Sequence, residues 1–560
     1  MVVEKNISNW WYFISNSCKK INDNETIPEL STLPKNDRPR IIVLGTGWAS
    51  LAFLNTIDTN KYEIIVVSPR NYFLFTPMLT SATVGSVELR SIIEPIRRVL
   101  YRLTGSKSKY IEAECTMVDY TDNSITIKTS FDKSAKIPYD KLVIAIGSTP
   151  SSFGTKGVRE NSVFLKEAMD ALVIRQKIMN CFERANFPGN SEEDIRKQLH
   201  WVIVGGGPTA VEVCIFAGEA CDYLKEDLAK AFPHLIPYAR ITLVQSADHL
   251  LNTYDAKISE YTENLFKHAN IDYLCNSRAL EVKPDRLVVR KKGSTENVEI
   301  PFGLCVWATG LYYDYFHHFC CRSNNMILMY LLNKGVGPNK LTKHLCESIP
   351  EQDNSRAIVT DPCLNVIGIP NKNVFAIGDC STISQKILVA KMMSIFKEAD
   401  TNNDDKLSVD EIRVLFNNHV DKYPQLKTYI NGLDHFFTEF DSNKDGYLQF
   451  NEFQRLMAKI DSNLTTLPST AQVANQMGIY LAKSLNKENP DTIEPFRYKH
   501  LGSFAYIVCI IPELGHHSAV ADIPSAFSGG GLGIWWMYRG IYLEKQFSWK
   551  NKVLVSCVHL

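Results

Sequence analysis

The chain of 560 residues carries no net charge, with 61 basic and 61 acidic side chains. It therefore lacks the basic surplus on which nucleic-acid binding rests, and no nucleic-acid partner is expected. No run of about 18 or more apolar residues free of charge occurs, so no membrane-spanning helix is expected. The N-terminal stretch MVVEKNISNWWYFISNSCKK has no apolar core of the secretory kind. With little Arg and an early Glu4 it also makes a poor mitochondrial presequence. The 14 cysteines form no repeated CxxC pairs, and Cys320 and Cys321 resemble neither a metal nor a disulfide framework. Scattered through a chain of this length they read as reduced thiols, mostly small apolar fillers. Apolar residues at 45% and charged residues at 22% give an ordinary globular balance. At roughly 100–200 residues per domain the chain suggests three or four domains.

What is present begins with two glycine turns. RPRIIVLGTGWASLAFL reads as a buried strand, the turn Gly45-Thr46-Gly47-Trp48-Ala49-Ser50, and a helix start. Such a turn lets backbone and helix N-terminus approach a dinucleotide's diphosphate. Ser50 occupies the third small position, where glycine is usual. A second strand, YEIIVVSPR, follows and ends in Ser68 rather than an acid. Alone this motif is weak. A second copy, WVIVGGGPTAVEVC, places Gly205, Gly207 and Ala210 at the three small positions, and the strand RITLVQ follows. Two such units imply one site for a held flavin and one for NADH or NADPH. DKLVIAIGS and GLCVWATG read as strands returning to the nucleotides, bringing Gly147, Thr309 and Gly310. NVFAIGDCS ends in Gly378-Asp379, where an acid could hold the flavin's ribityl hydroxyls. FAD is expected rather than FMN, because the first unit suits an adenine dinucleotide.

The flavin's partner decides the chemistry. A disulfide reductase would carry a Cys-x4-Cys pair soon after the first unit, yet NYFLFTPMLTSATVG (71–85) has no cysteine. Sulfide oxidation would likewise need placed cysteines. SPRNYFLFTPMLTSATVG, SIIEPIR, VGGGPTAVE, KHLCESIPEQ, LPSTAQVANQMGIYLAK, LGSFAY and GLGIWWMYRGIYLEKQFSWKNKV occur in that order. In them the chain resembles the type II, or alternative, NAD(P)H dehydrogenases of respiratory membranes over roughly residues 38 to 552. The resemblance implies two doubly wound α/β domains, hydride transfer from NAD(P)H to FAD, and two-electron delivery to a membrane quinone, ubiquinone among the candidates, without proton pumping. It also implies a peripheral place on the mitochondrial inner membrane.

Site residues follow from the resemblance. Arg70 and Thr76 fall to the cofactor, and Gln472 and Gln476 to the place where flavin meets quinone. Otherwise the AQVANQ segment is an ordinary helix with small residues on its packed face. Glu212 is assigned a tuning or positioning role near the nicotinamide and flavin; simple charge pairing at a helix N-terminus is the plainer reading. Gln245 departs from the usual acid at the end of the second unit's second strand. A carboxylate would repel the 2′-phosphate of NADPH, so an uncharged Gln predicts that NADPH is accepted, unless Gln merely bonds the ribose of NADH.

Between the Gly-Asp element and AQVANQ lies sequence that the flavin fold does not need. DSNKDGYLQFNE fits a calcium loop, with Asp441, Asn443 and Asp445 at positions 1, 3 and 5, Gly446 at 6, Tyr447 offering its carbonyl and Glu452 at 12. DTNNDDKLSVDE supplies Asp400, Asn402, Asp404, Lys406 through its carbonyl, and Glu411. Asp405 replaces its turn glycine and must adopt an unfavourable backbone angle, so this loop either binds weakly or serves as a structural mate.

The tail GIWWMYRGIYLEKQFSWK interleaves aromatic and basic residues around apolar ones, as an interfacial helix does; a packed helix or a homodimer surface is the alternative. Residues 311–335, 508–514 and the closing SCVHL depart from the family pattern and read as untranslated sequence joined to the chain. The expected organisation is an N-terminal extension (1–37), an FAD domain in two parts (38–160 and 358–387) and an NAD(P)H domain (161–357). An all-helical EF-hand insert (388–460), a flavin/quinone segment (461–490) and a membrane-associated region (491–560) complete it. Two further readings stay open: a calcium sensor on an inactive flavoprotein scaffold, and a reductase for soluble acceptors.

Overall fold

The computed structural model describes residues 38–85, 87–105, 108–214, 230–251, 256–268, 271–309, 336–384, 392–400, 402, 404–419, 433, 437, 440, 441, 443, 445–462, 467, 469–487, 494–499, 503–507, 518–523, 527–545 and 551–553. Gly310, residues 311–335, 508–514 and 556–560, and the extension 1–37 lie outside them.

Two copies of one plan form the body. Arg40–Leu44 and Glu63–Ser68 are buried at every position, as parallel strands covered on both faces must be. They join Lys109–Glu112 and Lys141–Ile144 in a five-stranded sheet, and Val374–Ala376 returns to complete its far edge. The second five-stranded sheet runs in the order Val163–Phe164, Leu304–Trp307, His200–Val204, Arg240–Val244, Asp272–Leu274, all parallel. Each unit carries a three-stranded antiparallel meander, Glu114–Pro138 on the first and Ser277–Pro301 on the second. Arg40 opposes Glu63 in register, and the two form a 2.8 Å ion pair that is almost wholly buried.

The calcium insert has its own apolar core of Phe396, Leu407, Ile412, Phe416, Leu433, Phe437, Leu448 and Phe453. Its two loops meet in a short antiparallel pairing of Lys406–Leu407 with Leu448–Gln449, which qualifies the all-helical expectation. The C-terminal part holds three antiparallel strands, Ser503–Ile507, Ser518–Ile523 and Phe527–Gly531, before the helix Leu532–Lys545. Among the described residues no helix is long and apolar enough to cross a membrane.

Candidate active site

The two glycine turns are built alike. Gly45 donates its N–H to the Val67 carbonyl at 2.8 Å, and Gly205 donates to Val244 at the same distance. Both lie at positive φ, +104° and +131°. A Cβ on Gly45 would sit 2.3 Å from the Ala145 carbonyl oxygen, and one on Gly205 would sit 2.8 Å from that of Ala308. Those carbonyls belong to the residues that directly follow the returning strands Lys141–Ile144 and Leu304–Trp307. Ser50 and Ala210, the third small residues, are fully buried against their sheets.

One cavity of about 920 Å³ joins the units. Gly45, Gly47, Arg70, Thr76, Gly147, Gly378 and Asp379 line it from the first unit. Pro208, Thr209, Glu212, Trp307 and Thr309 line it from the second. Ser50, Gly205, Gly207, Ala210 and Gln245 are not among its lining residues. This space suits a dinucleotide in size and shape, because side chains are missing where its backbone wall comes closest. Thr309 Oγ1 is buried with no hydrogen-bond partner in the protein, as a hydroxyl awaiting a ligand would be.

Across the seam, Thr80 Oγ1 donates to Glu212 Oε2 at 3.3 Å, and both are buried. Arg70 bridges to Glu167 at 2.8 Å, and the Trp48 indole donates to Thr76 Oγ1 at 3.0 Å. Asp379 accepts from Ser148 Oγ at 3.3 Å, and Ser148 accepts from Lys166 Nζ at 2.8 Å. Gln245 is buried beside Gly206, and its carbonyl oxygen accepts from the Ser246 backbone N–H at 3.0 Å.

The helix Ala471–Asn486 crosses the first glycine helix, Trp48–Thr56, at close range. A Cβ on Gly478 would meet the Ala49 carbonyl oxygen at 2.3 Å, so only glycine permits the approach. This brings Ser469, Thr470, Ala471 and Ala474 onto the cavity wall. Gln472 does not reach it; its carbonyl oxygen accepts from the Tyr498 hydroxyl at 2.5 Å. Gln476 clamps the Lys499 backbone, donating to its carbonyl at 2.7 Å and accepting from its N–H at 3.0 Å. Both polar atoms of the Gln476 amide are thus engaged by the Lys499 backbone.

Among the described residues the cysteines are all free, and most are buried. Burial pushes the Cys115 thiol, on the cavity wall, up to about 12.

The calcium loops share one backbone design. Asp441 accepts from the N–H groups of Asp445 and Gly446, and Asp400 accepts in the same way from Asp404 and Asp405. Asp405 holds φ at +59° where the second loop has Gly446 at +79°. Among the described residues no three carboxylate, imidazole or thiol groups converge on one point. The loop donors are mixed: Asn402 and Asn443 side chains and the position-7 carbonyls of Lys406 and Tyr447 complement Asp400, Asp404, Asp441 and Asp445. Glu411 and Glu452 close the loops and accept from the position-9 amides of Ser408 and Gln449. This oxygen set fits calcium.

Comparison with known proteins agrees with this geometry. The chain matches the pyridine nucleotide-disulphide oxidoreductase family over residues 39–314, an EF-hand domain pair over 389–458, and an NDH2 C-terminal domain over 500–558. The mitochondrial external alternative NAD(P)H-ubiquinone oxidoreductase B1 of Solanum tuberosum is 35% identical over 93% of this chain and 88% of its own length. The chain belongs to the alternative NAD(P)H-ubiquinone oxidoreductases. A relative named external alternative NADH-ubiquinone oxidoreductase, from Yarrowia lipolytica, is 33% identical over 92% of this chain and 78% of its own. The structure of NDH2 from Plasmodium falciparum in complex with NADH superposes with a TM-score of 0.75 at 29% identity, covering 93% of this chain and 97% of that one.

Within this alternative oxidoreductase site, sequence reasoning missed Ser148, Lys166, Glu167 and Asn339, all on the cavity wall. Ser148 closes the DKLVIAIGS stretch, whereas Lys166, Glu167 and Asn339 lie outside the motif segments. Only the FLKE stretch, with a charged pair directly after an apolar run, offered a signal.

Proposed function

We propose that this chain is an NAD(P)H:quinone oxidoreductase that does not pump protons, and that calcium regulates it. The observation that carries this reading is the single cavity onto which both nucleotide units open, with Glu212 of one unit bonded to Thr80 of the other. The Gly45–Gly47 turn and the N-terminus of the helix after it receive the FAD diphosphate, Asp379 its ribityl hydroxyls, and Arg70, Thr76, Gly147 and Ser50 shape its bed. The turn from Gly205 to Ala210, with Gln245 and Thr309, receives NADH or NADPH. Bound FAD would supply the two-electron acceptor and donor that the side chains lack.

The protein's share is positioning. Glu212, held by Thr80 on the cavity wall, would help position the nicotinamide and the flavin. Ser469, Thr470, Ala471 and Ala474 also line the cavity, and Gln472, steadied by Tyr498, would serve the quinone from the same helix. Gln476 fixes the segment 494–499 and shapes that entrance at one remove. Gln245 presents no charge to a 2′-phosphate, so NADPH is accepted. The helix Leu532–Lys545, with Trp536 exposed, lies on the membrane surface and draws quinone from the lipid. The mitochondrial inner membrane is the expected location, with ubiquinone as acceptor.

The deciding experiment is quinone reduction by the purified, detergent-solubilised chain with NADH or NADPH, each with calcium and with chelator. Calcium-stimulated NADPH oxidation is expected. Absence of bound flavin and of activity would defeat the reading and leave the calcium-sensor alternative.

A further inference from the structure

One cation on the cavity wall is unlike the others. Arg70 already holds the Glu167 carboxylate at 2.8 Å. Lys340 is exposed. Lys166 faces the same space, and its ammonium donates to a neutral hydroxyl, Ser148 Oγ, at 2.8 Å. An ammonium has three protons, so two remain for groups in the cavity.

Its placement is built. Lys166 follows the edge strand Val163–Phe164 of the second unit, and its backbone N–H and that of Glu167 both donate to Asp170 Oδ2 at 2.8 Å. Glu167 and Asp170 form the reciprocal cap of the helix Ala168–Ala185. The stem is thereby fixed, and the side chain crosses the seam to Ser148 and, through it, to Asp379 Oδ2 of the first unit. Burial pushes the lysine below its ordinary pKa, against the pull of Asp379 and Glu167. Lys166 is half-buried, and an ammonium drawn partly out of water onto a neutral hydroxyl is a net cost unless an anion joins it.

We propose that Lys166 is a flavin-positioning residue: seated on Ser148 beside Asp379, its ammonium binds the anionic ribityl-diphosphate stretch of FAD and ties it to the NAD(P)H unit. This rests on the reading of the cavity as an FAD site. A charge-assisted contact of this kind is worth on the order of 10- to 100-fold in affinity.

The test is reconstitution of the flavin-stripped full chain with FAD, followed by flavin fluorescence and its salt dependence. Lys166→Met is expected to weaken FAD binding about 10- to 100-fold and flatten the salt dependence, and Lys166→Arg to recover most of the loss. Ser148→Ala is expected to weaken binding by a smaller factor. Wild-type affinity in Lys166→Met would overturn the proposal, as would equal losses in Lys166→Met and Lys166→Arg, which indicate a packing role. Should Lys166→Met fail to fold, Ser148→Ala and Lys166→Arg decide. Unchanged affinity in Ser148→Ala, or a full loss in Lys166→Arg, then rejects the idea. A wild-type chain that takes up no FAD would defeat the functional reading itself, whereas FAD uptake indifferent to Lys166 defeats only this inference.

Discussion

Asp405 shows how a single side chain can set an affinity. It occupies the left-handed region at φ +59°, a conformation that glycine reaches freely and that costs an L-residue about 1 kcal/mol. Asp405→Gly should therefore tighten calcium at the first loop by several-fold and raise the insert's stability by about 1 kcal/mol. Terbium luminescence titration of the full chain reads this directly, and an unchanged midpoint would show that strain does not limit the site. Gln245→Glu tests cofactor choice: the new carboxylate should cut kcat/KM for NADPH by about tenfold or more while sparing NADH. His200 supplies a pH signature. Burial lowers its pKa, and its ring shares a 2.8 Å hydrogen bond with Thr242. The folded chain thus resists a proton that the unfolded chain accepts below about pH 6.5, so stability falls as pH drops from there until the folded-state pKa is passed. His200→Gln should remove that limb from a plot of melting temperature against pH. The Asp405 angle was legible in the sequence, since the loop template fixes which position turns. The Lys166–Ser148–Asp379 chain was not, because its members come from three segments joined only by folding.

At the level of elements, the decisive contact is helix on helix. Ala471–Asn486 rests on Trp48–Thr56 through Gly478, where an added methyl would overlap the Ala49 carbonyl. Gly478→Ala should force the pair apart, cost about 1–3 kcal/mol, and loosen the cavity rim at Ser469–Ala471, so the melting temperature and FAD retention should fall together. Retention that survives while stability drops would separate the rim from the packing. Strand–turn–helix units were readable because parallel strands leave unbroken apolar runs and glycine marks their turns. The three C-terminal strands were not: SFAYI, SAVADI and FSGGG are short, and the last is mostly glycine, so period-2 alternation scarcely registers. The Gln476 clamp escaped for a related reason, since its partner is backbone and backbone leaves no motif.

For the whole molecule, regulation and location follow from additions to a shared body. Chelation should lower NAD(P)H oxidation without releasing FAD, because the insert's core of Phe396, Phe416 and Phe453 is separate from the cores of the nucleotide units. Parallel loss of flavin colour would contradict that separation. Trp536→Ser should reduce the fraction of protein floating with phospholipid vesicles by about tenfold, one buried aromatic's worth. The flavin body, its doubling and the insert were visible in the sequence because each is a spaced motif. The shared cavity was not, since it exists only where the two units meet.

Val374–Ala376 gives the first sheet its far strand from a point beyond the whole second unit. The ribosome therefore delivers the two halves out of order. By the time residue 309 emerges, every strand of the second sheet is present, whereas the first still lacks an edge and Asp379. The nested unit can close while its host waits, and flavin cannot be loaded until the late strand arrives. A nascent chain arrested near residue 340 should yield a protease-resistant nicotinamide-binding half and no capacity for FAD. The cofactor that starts the chain of sites is thus the last that the growing protein can hold.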